Sequence, residues 1–188
     1  MDWLKHLIDI MLHLQEHLQQ LTQDYGGWVY GILFVIIFCE TGLVVTPFLP
    51  GDSLIFAVGA LSADPASGLN LWIGGGIIFI AAVFGDTVNY SIGKFAGENL
   101  ARRFPRIIKQ KHLDVTNEFF EKYGGKTIIL ARFVPIVRTF APFVAGSGAM
   151  NYRRFMFFNV IGAALWVGLI LPAGWFFGNI PIVKSNFE

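Results

Sequence analysis

A long stretch without basic residues is the feature that most constrains this chain. No Lys or Arg occurs between Lys5 and Lys94, whereas segment 94–126 carries eight of them together with four Asp or Glu. Soluble domains draw about a quarter of their residues from the charged types. Here only 14% of the 188 residues are charged and 54% are hydrophobic. The pattern predicts an all-α integral membrane protein, because helices satisfy their own backbone hydrogen bonds in lipid.

Charge and motif content argue against several functional classes. The formal net charge is +1, so no overall basic field predicts nucleic-acid binding. Cys39 is the single cysteine, which excludes an intramolecular disulfide framework and a multi-cysteine zinc site. No zinc-protease helix motif, nucleophile elbow or phosphate-binding loop occurs. We therefore expect no enzymatic activity, metal or cofactor.

The apolar block 28–62 is long enough to cross a bilayer once and too short to cross it twice. One crossing takes about 20 apolar residues. Pro47, Pro50 and Gly51 interrupt the centre of the block, where they cannot continue a helix comfortably. Irregular backbone at membrane depth persists only where protein or a water-filled cavity covers it. The block is therefore predicted to be a re-entrant hairpin with these three residues at its tip.

The block 127–150 repeats this pattern. Pro135 and Pro142 interrupt it, which predicts a second re-entrant hairpin with its tip at these prolines. Segments 71–93 and 155–178 have the length of spanning helices.

Short sequence matches relate the two halves. Phe48-Leu-Pro50 matches Phe133-Val-Pro135, and Gly93-xxx-Gly97 matches Gly174-xxx-Gly178. One predicted span enters the basic segment and the next leaves it, so the two halves would be inverted. Inverted repeats with broken helices are typical of transporters.

These elements predict a single membrane domain over residues 1–188. Its expected parts are an amphipathic N-terminal helix at 1–27, a first hairpin and span at 28–97, a basic cytoplasmic amphipathic loop at 98–126, a second hairpin and span at 127–178, and the start of a C-terminal helix at 179–188. The cytoplasmic assignment follows from the excess of Lys and Arg in the loop.

Five charged residues lie in apolar surroundings: Glu40, Asp52, Asp86, Arg132 and Arg138. A charged residue at the centre of a spanning helix costs about 2.5–3.5 kcal/mol on insertion scales. The simplest arrangement brings the two hairpin tips together, so that the first two carboxylates face the two arginines. One interpretation is purely structural, with buried salt bridges holding the hairpins. The other is a polar cavity near the membrane midplane.

The cavity interpretation gives each residue a role. Arg132 and Arg138 would bind an anionic phosphate group, because a guanidinium offers paired donors. Glu40 and Asp52 would compete for the arginines or take up protons. The supporting intramembrane polar residues would be Asp86, Asn89 and Tyr90.

Three long motifs resemble the DedA family, which is related to the VTT-domain, or SNARE-associated Golgi protein, scramblases. They are the segments ETGLVVTPFLPGDS at 40–53, GDTVNYSIG at 85–93 and ARFVPIVRTFAPFVAG at 131–146. The resemblance covers essentially the whole chain. It implies two facing re-entrant hairpins, an essential acidic pair at Glu40 and Asp52, and an essential arginine pair at Arg132 and Arg138.

The resemblance also implies a function. Family members are multi-pass proteins of the bacterial inner membrane and are linked to moving lipids between leaflets. The expected partners are lipids with a phosphate headgroup, such as undecaprenyl phosphate or phosphatidylethanolamine, together with protons of the proton-motive force. The alternatives are a proton-coupled small-ion or drug antiporter and a non-transporting membrane scaffold. Family chains continue with a further apolar helix, so the resemblance implies that residues 179–188 begin a helix missing from this sequence.

Overall fold

The computed structural model describes residues 26–43, 51–103 and 110–180. Within these ranges the chain is helical and contains no strand, which confirms the all-α class. The helices are α1 (Trp28–Gly42), α2 (Gly51–Leu61), α3 (Leu71–Arg103), α4 (Gln110–Tyr123), α5 (Thr127–Ala131), α6 (Pro135–Val144) and α7 (Tyr152–Gly178). The predicted N-terminal helix, apart from residues 26 and 27, and the predicted tip residues Pro47 and Pro50 lie outside the described ranges.

Two of the described helices are long and apolar enough to cross a membrane. They are Leu71–Phe95, within α3, and Tyr152–Gly178, which is α7. Asn70 starts α3 by accepting hydrogen bonds at its Oδ1 from the backbone N–H groups of Trp72 and Ile73. This is the usual role of an asparagine at a helix N-cap.

The helix α3 runs further than the predicted span 71–93. It ends at Arg103, inside the segment expected to be a loop. The residues after Lys94 are mostly good helix formers, and no proline stops them before Pro105. The next part of the basic segment forms α4, whose exposed residues include Glu118 and Glu121. Its opposite face packs Val115, Phe119 and Phe120 onto apolar residues, so this part of the segment is amphipathic.

The second predicted hairpin breaks where Pro135 requires it. Val134 is extended, with φ −123° and ψ 103°, because the residue before a proline is disfavoured in helical conformation. Pro142 was expected at the tip as well, but it lies inside α6. The helix continues past it, since the N–H of Ala145 reaches the carbonyls of Ala141 and Pro142. Of the three predicted residues of the first tip, Gly51 begins α2.

The described residues form two compact units. The first unit contains residues 26–35, 51–78 and 167–180, and the second contains residues 36–43, 79–103 and 110–166. These units differ from the predicted halves, because each joins helices from both halves of the sequence. In the first unit α2 packs on the end of α7, and in the second α6 packs on α3.

Each unit has its own apolar core. The buried side chains of the first unit include Val29, Leu33, Leu54, Ile55, Val58, Leu61, Ile78 and Leu171. One core cluster of the second unit contains Tyr90, Ile128, Ala131, Val137, Ala141, Ala145 and Phe155.

The same close helix contact occurs in both units. In the first unit a Cβ at Gly59 would overlap the carbonyl oxygen of Leu171, and a Cβ at Gly174 would overlap that of Phe56. In the second unit a Cβ at Gly146 would overlap the carbonyl oxygen of Tyr90, and a Cβ at Gly93 would overlap that of Phe143. In each unit, two reciprocal glycines therefore let a short helix lie directly against a long one.

Gly174→Ala should destabilise the protein by about 1–3 kcal/mol, because the added methyl group overlaps the backbone of Phe56. Gly168→Ala is the matched control on α7, since no atom outside the helix lies within 4 Å of that position. The control should be neutral, or more stable by up to about 1 kcal/mol from helix propensity. Thermal unfolding in detergent measures both variants, and equal shifts would contradict the close contact.

Candidate functional site

Four of the five predicted intramembrane charges belong to the second unit. Arg132 follows the last residue of α5, in the break before α6, and Arg138 lies inside α6. Glu40 is in the last turn of α1, and Asp86 is near the middle of α3. Four different helices or helix ends therefore supply the charged groups of one candidate site.

Arg132 is held along one edge by two buried polar side chains. Its Nη2 donates to Asp86 Oδ2 at 2.6 Å and to Asn159 Oδ1 at 2.7 Å. Asn159, on α7, uses its own Nδ2 to donate to the backbone carbonyl of Val83 on α3 at 3.1 Å. All three polar side chains are buried. This chain of bonds fixes the guanidinium against two helices.

The rest of the Arg132 guanidinium has no such partner. Nε and Nη1 are buried and make no hydrogen bond within the part of the chain that the structure describes. Gly162 leaves the room for this group, because a Cβ there would lie 3.1 Å from Arg132 Nε. Buried donors without a partner are uncommon, since each loses its hydration without compensation. They are therefore candidate ligand-binding groups.

Arg138 forms the second ion pair, with Glu40. Its Nη2 lies 3.4 Å from Glu40 Oε1, and both side chains are largely buried. Gly85 allows the end of α1 to approach α3, because a Cβ at this position would overlap Thr41 Oγ1. The two ion pairs sum to zero net charge.

Trp166 connects the two arginines. The centre of its ring lies 4.1 Å from Cζ of Arg138 and 5.6 Å from Cζ of Arg132. The side chain is completely buried. Both guanidinium groups therefore contact one indole, in the range where a cation is attracted to an aromatic face.

The pairing of the charges differs in part from the sequence prediction. Glu40 faces an arginine as expected, but the carboxylate bound to Arg132 is Asp86, which was expected only in a supporting role. Asp52 lies in the first turn of α2, where a negative charge favours the helix N-terminus. It belongs to the first unit and is exposed.

Asn89 and Tyr90 make other contacts within the second unit. Asn89 Nδ2 donates to the carbonyls of Thr41 at 3.2 Å and Thr139 at 3.0 Å, so it ties the end of α1 to α6. The Tyr90 hydroxyl donates to the carbonyl of Met150 at 2.9 Å, and its ring stacks on Phe155. These bonds hold the helices around the site.

Sequence reasoning missed Asn159 and Trp166. Asn159 is a polar residue inside an apolar span, a signal that would have identified it. It shares one face of α7 with Gly162 and Trp166, because residues three or four positions apart lie on the same side of a helix. The tryptophan alone carries no such signal, since aromatic residues are common in membrane helices.

Comparison with known proteins supports the membrane assignment. The VTT domain family matches residues 49–176. Protein DedA of Escherichia coli is 57% identical over an alignment covering 100% of this chain and 86% of that protein. An uncharacterized membrane protein of Mycobacterium tuberculosis is 41% identical, over 87% of this chain and 72% of the relative. Inner membrane protein YqjA of Escherichia coli is 35% identical, over 83% of this chain and 70% of that protein. No solved structure matches the chain.

The family match covers the motifs at 85–93 and 131–146 and the end of the motif at 40–53, and the alignment with protein DedA covers all three. Arg132, Asp86 and Trp166 lie inside the matched domain, as does the greater part of both units. The chain is therefore a membrane protein that belongs to the DedA family of VTT-domain proteins.

Proposed function

We propose that this protein moves phosphate-headed lipids between the leaflets of the bacterial inner membrane as a multi-pass flippase or scramblase. Undecaprenyl phosphate and phosphatidylethanolamine are the expected substrates. The observation that carries the proposal is the buried edge of Arg132, whose Nε and Nη1 have no hydrogen-bond partner among the described residues. A phosphate oxygen accepts such donors strongly, because both groups are charged.

The hydrogen-bond donors of the site favour an anion over a cation. The available Nε and Nη1 of Arg132 can only donate, because a guanidinium group has no acceptor atom. A cation entering an antiporter would find no partner in these two atoms, whereas a phosphate oxygen would accept from them. When an anion binds, the site becomes negative unless a carboxylate takes up a proton. Proton uptake by Glu40, the carboxylate beside Arg138, would link lipid movement to the proton-motive force.

We also propose that α1–α2 and α5–α6 are re-entrant hairpins in an inverted repeat. Each of these helices has 15 residues or fewer, which is less than the roughly 20 that a full crossing takes. The glycine contacts recurring in the two units support an internal repeat. Cysteine accessibility tests the topology after Cys39 is replaced by serine. If the two ends of either hairpin react from opposite sides of the membrane, the hairpin assignment is wrong.

Reconstitution into liposomes tests the function. Fluorescent phosphatidylethanolamine and radiolabelled undecaprenyl phosphate would be followed by a leaflet-specific reagent. We expect faster transfer than in protein-free vesicles. Mass spectrometry should recover the lipid chemically unchanged, because transport alone breaks no covalent bond. Movement of a small cation without lipid transfer would favour the antiporter. No transfer of any solute would favour a scaffold.

Glu40→Gln should remove the response of lipid transfer to a pH gradient, because Glu40 is the carboxylate paired with Arg138. An amide fills nearly the same volume but cannot gain or lose the proton. Transfer would be measured in vesicles with and without an imposed gradient, and Asp64→Asn serves as the control because Asp64 caps a surface turn at Pro65–Ser67. If Glu40→Gln responds to the gradient like the unmodified protein, Glu40 is only a structural partner of Arg138.

A further inference from the structure

Trp166 is the element of the site that lipid binding alone does not explain. The indole is completely buried, and its ring centre lies 4.1 Å and 5.6 Å from the Cζ atoms of Arg138 and Arg132. An aromatic face attracts a cation more strongly when water is excluded, and tryptophan attracts it best. Both arginines are therefore attracted to the same uncharged surface.

The two arginines differ in how firmly a carboxylate holds them. Arg132 Nη2 lies 2.6 Å from Asp86, whereas Arg138 Nη2 lies 3.4 Å from Glu40. The longer pair belongs to the arginine that is closer to Trp166. The indole thus lies closer to Arg138 than to Arg132, and it attracts both without adding a negative charge to the site.

We propose that Trp166 is a positioning residue that keeps Arg138 beside Arg132, so that one phosphate group can reach both. This inference rests on the anion site proposed above. A phosphate replaces a carboxylate at its arginine, and the indole contact persists during that exchange. Without the indole, Arg138 would pair more fully with Glu40, and the incoming anion would have to break a stronger bond.

Simple packing is the competing explanation, because a buried tryptophan fills a large volume. Packing depends on shape, whereas the attraction of a cation depends on the electron density of the ring. Fluorine atoms withdraw that density and change the shape of the ring little. A series of fluorinated tryptophans therefore separates the two explanations.

The experiment places tryptophan with zero, one, two or four ring fluorines at position 166 of the full-length chain by nonsense suppression. Binding of two probes is measured in detergent: inorganic phosphate, and a short-chain phosphatidic acid. We expect affinity to fall stepwise with fluorine number, by about tenfold at the end of the series, which corresponds to about 1.4 kcal/mol. Trp166→Phe should fall between the unmodified protein and Trp166→Leu.

The same series at Trp175 is the matched control, because this residue lies on the same helix in the other unit. Fluorination of Trp175 should leave the affinities for phosphate and phosphatidic acid unchanged. Along the series at position 166, the melting temperature of the protein should stay constant. Binding of both probes identifies the phosphate group as the ligand, and binding of phosphatidic acid alone shows that the acyl chains also contribute.

Equal affinities along the series at position 166 would overturn the positioning role and leave the proposed function intact. If the unmodified protein binds neither probe, the proposed function and this inference both fail.

Discussion

Arg132→Met is expected to destabilise the protein by about 3–5 kcal/mol, because it leaves Asp86 as a buried charge without its partner. Asp86 is only 4% exposed, and Arg132 binds it at 2.6 Å. Asn159 loses the same donor. Chemical unfolding in detergent, followed by circular dichroism, measures the change in the free energy of unfolding.

The double variant Arg132→Met, Asp86→Leu should recover most of that stability. Replacing both members of a buried ion pair by apolar residues is often neutral, since neither charge is left alone. The proposed lipid transfer should be lost in both variants, because each lacks the proposed phosphate donors of Arg132. Arg153→Met is the matched control for the single change, because Arg153 is exposed at the start of α7. This control should change the free energy of unfolding by less than about 0.5 kcal/mol. Equal stability of the single and double variants would contradict a strong buried pair.

That the buried charges are paired could be predicted from the sequence, and so could Glu40 as the partner of an arginine. That Asp86 is the partner of Arg132 could not. Charged groups in an apolar run must be neutralised, which follows from the cost of inserting them. Which carboxylate meets which arginine depends on how distant segments pack. Arg132 and Asp86 are separated by 46 positions in the sequence, and a contact of that kind has no local signature.

The helix breaks show the same division between local and distant causes. Val134 is extended because Pro135 follows it, a purely local effect that the sequence predicts. Pro142 does not end its helix, although it removes one backbone N–H. Tertiary packing of α6 outweighs this loss, since Ala141, Phe143 and Val144 are all buried. The outcome depends on neighbours that a local pattern does not contain.

Trp166 was missed because its helix buries one face and exposes another. Both faces of α7 are largely apolar, so periodicity does not separate them. Leu165 and Leu169 are exposed, whereas Trp166 and Ala163 are completely buried. For the tryptophan, only the packing of α7 shows which face it occupies.

Arg132→Lys should reduce lipid transfer by at least about tenfold while leaving the protein folded. A tenfold reduction corresponds to the loss of one hydrogen bond to a charged group. Lysine keeps the positive charge, so Asp86 retains a counter-ion. Its single nitrogen cannot reproduce the planar group, which donates to Asp86 and Asn159 at Nη2 while Nε and Nη1 stay available. The liposome assay measures transfer, and the amount of inserted protein corrects for expression.

Arg154→Lys is the control for this substitution, because Arg154 is exposed at the start of α7 and lies outside the site. It should transfer lipid at the unmodified rate. The comparison separates the shape of the cation from its charge: a site that needs only positive charge would accept lysine at position 132, whereas a site that binds phosphate through several fixed donors would not. Normal lipid transfer by Arg132→Lys would therefore exclude a phosphate contact that depends on the guanidinium geometry, and the pair with Asp86 would then be explained by helix packing alone.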